Sequence, residues 1–350
     1  MNMAYTMEYE INSQGAILEN LTEKYIKNGI VLLDIDASIN KVVLIGSGSS
    51  YHSALLGKYF FNNIAHVEAS AEYASEYANL DFKSPNKGTL HIFISQSGKS
   101  SDTLCALRKI KQNGGKVLSL TNNPDSPMHN EVEYRFLMEA SREYAIGATK
   151  TFSSSVLMLW IMACSLAQKK CFNISNEIKD VFKLRECIEY TMNNTKNIDK
   201  VAEFISKQNA ISILGYGIQY PLALEAALKI KETSYINTSA YPLGEFVHGH
   251  FAVLNKDNVI LNFLDESKNE KEKELLDKIS NTYQVENLYI SSYLESNDRT
   301  IKIPDTKSKI INIFEMITII QLLAFKTAII LGRDVDKPKG LDKVVEEKEN

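Results

Sequence analysis

Along most of this chain, short runs of β-branched and aliphatic residues alternate with longer segments that suit helices. KVVLIG (Lys41–Gly46) and AISILG (Ala210–Gly215) each lead into a G-x-G turn, a helix-compatible stretch and a second strand-like stretch. HIFI (His91–Ile94) and ILNF (Ile260–Phe263) read as the next strand in each case. Such alternation predicts βαβ units and a parallel sheet. Two longer apolar stretches stand apart. FSSSVLMLWIMACSLA (Phe152–Ala167) is short for a membrane span. Ile310–Leu331 is long enough, but Asn312, Glu315, Thr318 and Gln321 recur through it at every third position. That stripe predicts an amphipathic helix with one wet or hydrogen-bonded edge. Glu315 and Lys326 would each be costly in lipid, so both stretches are expected to be buried helices of a soluble protein.

The alternating pattern occurs twice, at an offset of 169 residues. Gly46 aligns with Gly215, Gly48 with Gly217, Tyr51 with Tyr220, Ala54 with Ala223, and Glu76-Tyr77 with Glu245-Phe246, without a gap. Two homologous α/β halves follow, over residues 41–170 and 209–331, with a helical connection at 171–208. A helical segment is expected over residues 1–40 and a separate tail over 332–350.

Composition narrows the picture only by exclusion. At 350 residues, two domains are the natural expectation. Hydrophobic residues at 44% and charged residues at 23% exclude global disorder. A net charge of -4 offers nucleic acid no basic face. MNMAYTMEYEINSQ has neither the basic nor the apolar region of a signal peptide, so a cytoplasmic location is expected. Cys105, Cys164, Cys171 and Cys187 share no metal-ligand spacing and read as reduced thiols.

The candidate chemistry lies in the turns. G-x-G with tyrosine as the sixth residue, Tyr51 or Tyr220, is not the dinucleotide fingerprint, which disfavours NAD. The second copy, GYGIQYP, suits a plain strand-to-helix turn, with Pro221 in the first helical turn. The first copy differs: GSGSS carries Ser47, Ser49 and Ser50, and after HIFI comes SQSGKSSDT (Ser95–Thr103). Ordinary N-capping needs one hydroxyl per helix. Two serine-rich turns at the carboxyl ends of neighbouring strands suit an anion instead. Without G-x-x-x-x-G-K-[ST] or an obvious magnesium carboxylate, a sugar phosphate is a better expectation than a nucleotide, and no cofactor or metal is expected. Asp265-Glu266 in the second copy would repel phosphate, so one phosphosugar site per chain is expected.

GSGSSYHSA, SQSGKSSDT and ATKTF resemble the SIS (sugar isomerase) domain family. LEAALKIKETSYI, AYPLGEFVHG and DVDKPKGLDKVV resemble the isomerase half of the glutamine:fructose-6-phosphate aminotransferase family, from about Glu8 to Val345. The resemblance implies two tandem SIS subdomains, each a five-stranded parallel sheet flanked by helices, in a homodimer. It assigns phosphate binding to Ser49, Ser50, Ser95, Gln96, Ser97 and Ser100, and sugar contacts to Ile146, Ala148 and Lys229. It makes Glu232 the proton-shuttling base, His248 the ring-opening group supplied by the partner subunit, and Lys343 the tail residue covering the sugar.

The residues themselves permit plainer readings. Glu225, Lys229 and Glu232 share one helix face and could form a solvated ladder. A lone histidine is more often structural, and the charged tail reads as a frayed end. Two positions depart from the family pattern: Ala148 replaces a sugar-contacting serine, and Lys99 replaces a glutamate. Residues 1–40 hold no glutaminase domain with its N-terminal cysteine, and no helix-turn-helix domain of a sugar-sensing regulator. The expected activity is conversion of an amino-sugar 6-phosphate to a ketose 6-phosphate with release of ammonia. A fructosamine 6-phosphate deglycase is the chemical alternative, and a non-catalytic sugar-phosphate sensor the third.

Overall fold

The computed structural model describes residues 5–81, 87–256, 258–264 and 270–343. Helix α1 (Thr6–Tyr25) is followed by a short hairpin, β1 (Ile26–Lys27) and β2 (Ile30–Val31). The first half runs β3 (Lys41–Gly46), α2 (Ser49–Asn63), β4 (Glu68–Tyr73), α3 (Ala74–Ala78) and β5 (Thr89–Ser95). It continues with α4 (Ser101–Gln112), β6 (Lys116–Thr121), α5 (Pro127–Asn130), β7 (Tyr134–Leu137) and the long α6 (Lys150–Lys169). Helices α7 (Ser175–Val181), α8 (Leu184–Asn193) and α9 (Lys196–Ile205) come next. The second half runs β8 (Ala210–Gly215), α10 (Gln219–Ser234), β9 (Asn237–Pro242), α11 (Leu243–Phe246) and β10 (Val259–Leu264). It ends with α12 (Glu270–Tyr283), β11 (Glu286–Ser291), β12 (Thr300–Lys302) and α13 (Lys309–Ile330).

Two five-stranded sheets result, ordered β4-β3-β5-β6-β7 and β9-β8-β10-β11-β12, and every neighbouring pair is parallel. The repeat seen in the sequence is therefore structural: β3 and β8, then β4 and β9, start 169 residues apart. In each sheet the chain turns outward from the first strand to one edge and then crosses back, leaving a switch point between β3 and β5, and between β8 and β10. Open α/β sheets bind ligands at that place, outside the carboxyl ends of the strands.

The G-x-G turns make this geometry possible. A Cβ on Gly46 would stand 2.7 Å from the Ser50 carbonyl carbon, and one on Gly215 only 2.5 Å from the Gln219 carbonyl oxygen. Only glycine lets the helix begin so close to the strand end.

The chain divides into two compact units, one around each sheet. The first comprises residues 16–143, 148–182 and 342–343; the second comprises 5–15, 144–147 and 183–341. Val43, Ile45, Phe93, Leu107 and Ile110 fill one side of the first sheet. Leu214, Phe246, Ile260, Leu264 and Leu276 do the same in the second.

Helices α6 and α13 are both long and apolar enough to cross a membrane, and α6 is longer than the apolar run Phe152–Ala167 suggested. Burial within the fold, over 94% and 83% of their most apolar windows, accounts for their composition. The stripe on α13 is not a wet edge: Asn312, Glu315, Thr318 and Gln321 are all buried. Gln14 on α1 donates to Thr318 Oγ1, and Thr306 donates to Asn312 Oδ1. Lys326 reaches Asp199 on α9 at 2.5 Å.

Glu315 is different. It is fully buried, and among the described residues neither carboxyl oxygen has a hydrogen-bond partner. Burial pushes its pKa up to about 8. An unfolded chain ionises this group near its ordinary value of 4.5, whereas the folded chain keeps the proton until about 8. Between those values the folded state binds more protons, so stability falls as pH rises through this window. Glu315→Gln should flatten that decline and make the protein more stable than wild type at pH 8, by on the order of a few kcal/mol. Urea unfolding from pH 5 to 8 measures this, and parallel curves for the two proteins would show that Glu315 is ionised in the fold.

Candidate active site

In the first unit, β3 and β5 lie side by side, so the serine-rich turns that follow them are neighbours at the carboxyl edge. Ser49 and Ser50 open α2, both half-buried. The second turn is more tightly built. Ser95, buried at the end of β5, accepts a hydrogen bond from Gly98 N and lies 3.2 Å from Ser100 Oγ. Ser97 Oγ accepts from Lys99 N at 3.1 Å. Gln96 and Ser97 are half-buried, and the Gln96 carbonyl accepts from Asn122 N and Thr121 Oγ1. Gly98 sits at φ +64°, and any Cβ there would stand 2.2 Å from Ser126 Oγ.

Ser100 precedes α4 as its N-cap residue, yet its hydroxyl caps no backbone N–H. The first N–H groups of α4 have no intrahelical acceptor, and the adjoining Ser95, Ser97 and Ser100 hydroxyls are small and rotatable. Together they can receive an anion. Lys99 is exposed and lines a groove of about 750 Å3 on the flank of α4 with Ser101, Cys105, Arg108 and Lys109.

The corresponding turn of the second unit, Tyr216–Gln219, has no hydroxyl cluster. Asp265-Glu266, the carboxylates expected to repel phosphate there, lie outside the described residues.

The α10 acidic cluster is not a solvated ladder. Lys229 and Glu225 have side-chain exposures of only 1% and 2%, with Lys229 Nζ 3.7 Å from Glu225 Oε1. The same ammonium contacts Glu232 Oε2, and Glu232 keeps 22% exposure. One buried cation thus holds an inner and an outer carboxylate. Gly147 adjoins them: a Cβ there would be 3.7 Å from Glu232 Oε2 and 3.8 Å from Lys229 Nζ. Ile146, next to it, is half-buried and donates its N–H to the Asp336 carbonyl at 3.2 Å. Ile146, Lys229 and Glu232 therefore come together, whereas Ala148 belongs to the first unit and is half-buried there.

His248 is exposed beside Gly249, which has φ +116°; its backbone N–H bonds the Glu245 carbonyl. Among the described residues its imidazole makes no hydrogen bond or ion pair.

The tail is not frayed over its described length. Asp336 accepts from Thr6 N and Met7 N, both at 2.8 Å, and so caps α1. Lys339 N donates to the Tyr235 hydroxyl, and Arg333 lies over the Tyr235 ring. In the first unit, Lys343 Nζ reaches Glu143 Oε2 at 2.7 Å. Glu143 escaped the sequence reading because ASREYAIGATK surrounds it with polar residues that announce no partner. The only signal was an acid seven residues before a long apolar helix, too far for a recognised capping pattern.

Comparison with known proteins agrees with this architecture. The SIS domain family pattern matches residues 37–165 and 204–282. The glutamine–fructose-6-phosphate aminotransferase of Campylobacter jejuni is 32% identical over 351 aligned positions, which cover 97% of this chain and 58% of that protein. The chain therefore spans little more than half the length of the curated relatives it matches. Among solved structures, the C-terminal domain of glucosamine-fructose-6-phosphate aminotransferase from Francisella tularensis superposes with a TM-score of 0.88 at 26% identity, covering 96% of this chain and 99% of that one. A glucosamine-6-phosphate deaminase from Thermotoga maritima shares the fold, with a TM-score of 0.78 at 24% identity over 97% of this chain and 99% of that chain. With both halves matched and both sheets in the same order, the chain belongs to the SIS domain family.

Proposed function

We propose that the protein is an enzyme that isomerises and deaminates an amino-sugar 6-phosphate, giving a ketose 6-phosphate and ammonia. The observation that carries this reading is the pair of serine-rich turns at the switch point of a sheet whose family binds phosphosugars. Ser95, Ser97 and Ser100, with Gln96 and the neighbouring Ser49 and Ser50, would hold the phosphate. The named activities of the aminotransferase and deaminase relatives support an amino-sugar substrate.

The chemistry then needs few groups. His248 would open the sugar ring, since an imidazole gives and takes a proton near neutral pH. Glu232 would carry a proton from C2 of the open chain to C1, turning the C2 amine into an imine. Water adds to that imine, and ammonia leaves as the C2 carbonyl forms. A part-exposed carboxylate held by the Lys229 ammonium suits a base that must reach two adjacent carbons. Ile146, Ala148 and Lys229 would contact the sugar, and the tail residue Lys343 would cover it. In a homodimer His248 would serve the partner's substrate, which its exposure and unengaged ring support.

Ala148 points to an altered substrate and leaves one alternative open. Where relatives of this family have a serine touching the sugar, it offers only a methyl group, one polar contact fewer. That alternative is a fructosamine 6-phosphate, with its amine on C1, cleaved by the same pair of groups. Assays for ammonia from glucosamine 6-phosphate, and for free amine from a fructosyl-amine phosphate, separate the two. If wild type binds hexose phosphates, yields neither product and interconverts no aldose and ketose phosphates, the sensor reading stands.

Changing both Ser95 and Ser97 to alanine should weaken hexose 6-phosphate binding by about 2–4 kcal/mol, since each hydroxyl donates to a charged acceptor. Calorimetric titration that finds unchanged affinity would remove phosphate from this turn. Glu232→Gln should lower kcat at least about a thousandfold with substrate affinity within a few-fold of wild type. Mixing Glu232→Gln with His248→Ala under subunit exchange should recover part of the activity. Failure to recover, with exchange confirmed by mass spectrometry, would place both groups in one chain or exclude one from the chemistry.

A further inference from the structure

We propose that Glu143 is a positioning residue: one buried carboxylate that fastens the carboxy-terminal tail, through Lys343, to the turn that opens α6. The inference rests on the reading that Lys343 covers the sugar, and it concerns how that lysine is held.

The contacts belong to a single unit. Glu143 has a side-chain exposure of 0%. Its Oε1 accepts from Thr149 N at 2.9 Å, Thr149 Oγ1 at 3.1 Å and Thr151 N at 3.1 Å. Its Oε2 accepts from Thr151 Oγ1 at 2.6 Å and from Lys343 Nζ at 2.7 Å. Five donors converge on two oxygens, which between them offer about four lone-pair sites.

Two of those donors are backbone N–H groups at the start of the twenty-residue α6, where Thr149 makes no side-chain cap of its own. Glu143 supplies the missing cap from outside the helix, and its negative charge suits the positive end of the helix dipole. Burial pushes the Glu143 carboxyl upward, but the Lys343 ammonium and the threonine hydrogen bonds outweigh it and hold the group below the ordinary glutamate range. Lys150, the nearest lysine in sequence, spends its ammonium on Ser141 Oγ and the Arg142 carbonyl. The counter-ion for Glu143 thus comes from a residue 200 positions away.

Such an arrangement couples three things. Removing Lys343 leaves a charge in a dry place with only neutral donors, and removing the charge of Glu143 frees the lysine. Tail docking, the ionised state of Glu143 and the conformation of the Ala148–Thr151 turn are therefore one equilibrium. A lysine so held is aimed by the turn that carries Ala148, not by the tail's own sequence.

Hydrogen–deuterium exchange and steady-state kinetics on Glu143→Gln, Lys343→Met and the double variant test this. Each single change should speed amide exchange roughly tenfold, both near residue 343 and across 148–151. The double variant should exchange no faster than the singles. Each variant should lose a similar factor in kcat, roughly 10- to 100-fold, with KM changed far less, and Lys343→Arg should restore most of both readouts. Unchanged exchange near residue 343 in Glu143→Gln, or single effects that multiply in the double variant, overturns the proposal. If Glu143→Gln does not fold, Lys343→Met still decides, because loosened exchange at 148–151 requires the tie and unaltered exchange there refutes it. A wild type that turns over no phosphosugar would sink the functional reading, while the exchange result would still judge the tie.

Discussion

The whole design depends on how closely a helix can begin to the end of the strand before it. With 2.5 Å between the Gln219 carbonyl oxygen and the place a Cβ of Gly215 would occupy, no side chain fits, and Gly46 is nearly as constrained. That approach sends α2 and α10 straight back over their sheets, and it places each turn at the carboxyl edge. Repeated at β3 and β8, it yields two sheets of the same strand order. What distinguishes the halves is the chemistry on the turns: serines in one, tyrosine and glutamine in the other. The scaffold occurs twice, and the serine-rich turns belong to the first copy.

Much of the fold was legible because turn chemistry and strand hydrophobicity are local properties. The offset of 169 residues survives in both G-x-G motifs and in the strand starts at Lys41 and Ala210. The serine turns were legible for the same reason. Burial was not, because it depends on what packs against a residue from elsewhere in the chain. Glu225 and Lys229 have the spacing of a surface ladder, yet both side chains are buried. The spacing of the α13 stripe allows a wet or a hydrogen-bonded edge, and burial leaves the second, with Gln14 of α1 as one of its partners. Asp336 and Glu143 each act across more than a hundred residues, and no periodicity reports a partner at that distance.

Three buried or half-buried carboxylates show how surroundings set the work a group can do. Glu143 is ionised because five donors surround it. Glu315, with no hydrogen-bond partner among the described residues, holds its proton. Glu232 stands between these extremes, fixed by one ammonium and open on one side. Only the last leaves space for a substrate to approach. Desolvation alone would have ranked Glu315 first as a functional group, and geometry rejects it.

The cap that Asp336 places on α1 also has a bearing on synthesis. Met7 and Ile11 leave the ribosome long before the rest of their unit, which is made of residues 144–147 and 183–341. At about 5–20 residues per second, the chain needs on the order of 15–60 s to reach Asp336 after Thr6 has been made. The first sheet, nearly contiguous in sequence, can assemble during that interval. The first turns of α1, with Met7 and Ile11, must meanwhile wait for the rest of their unit. A turn translated ahead of both sheets is among the last to be secured.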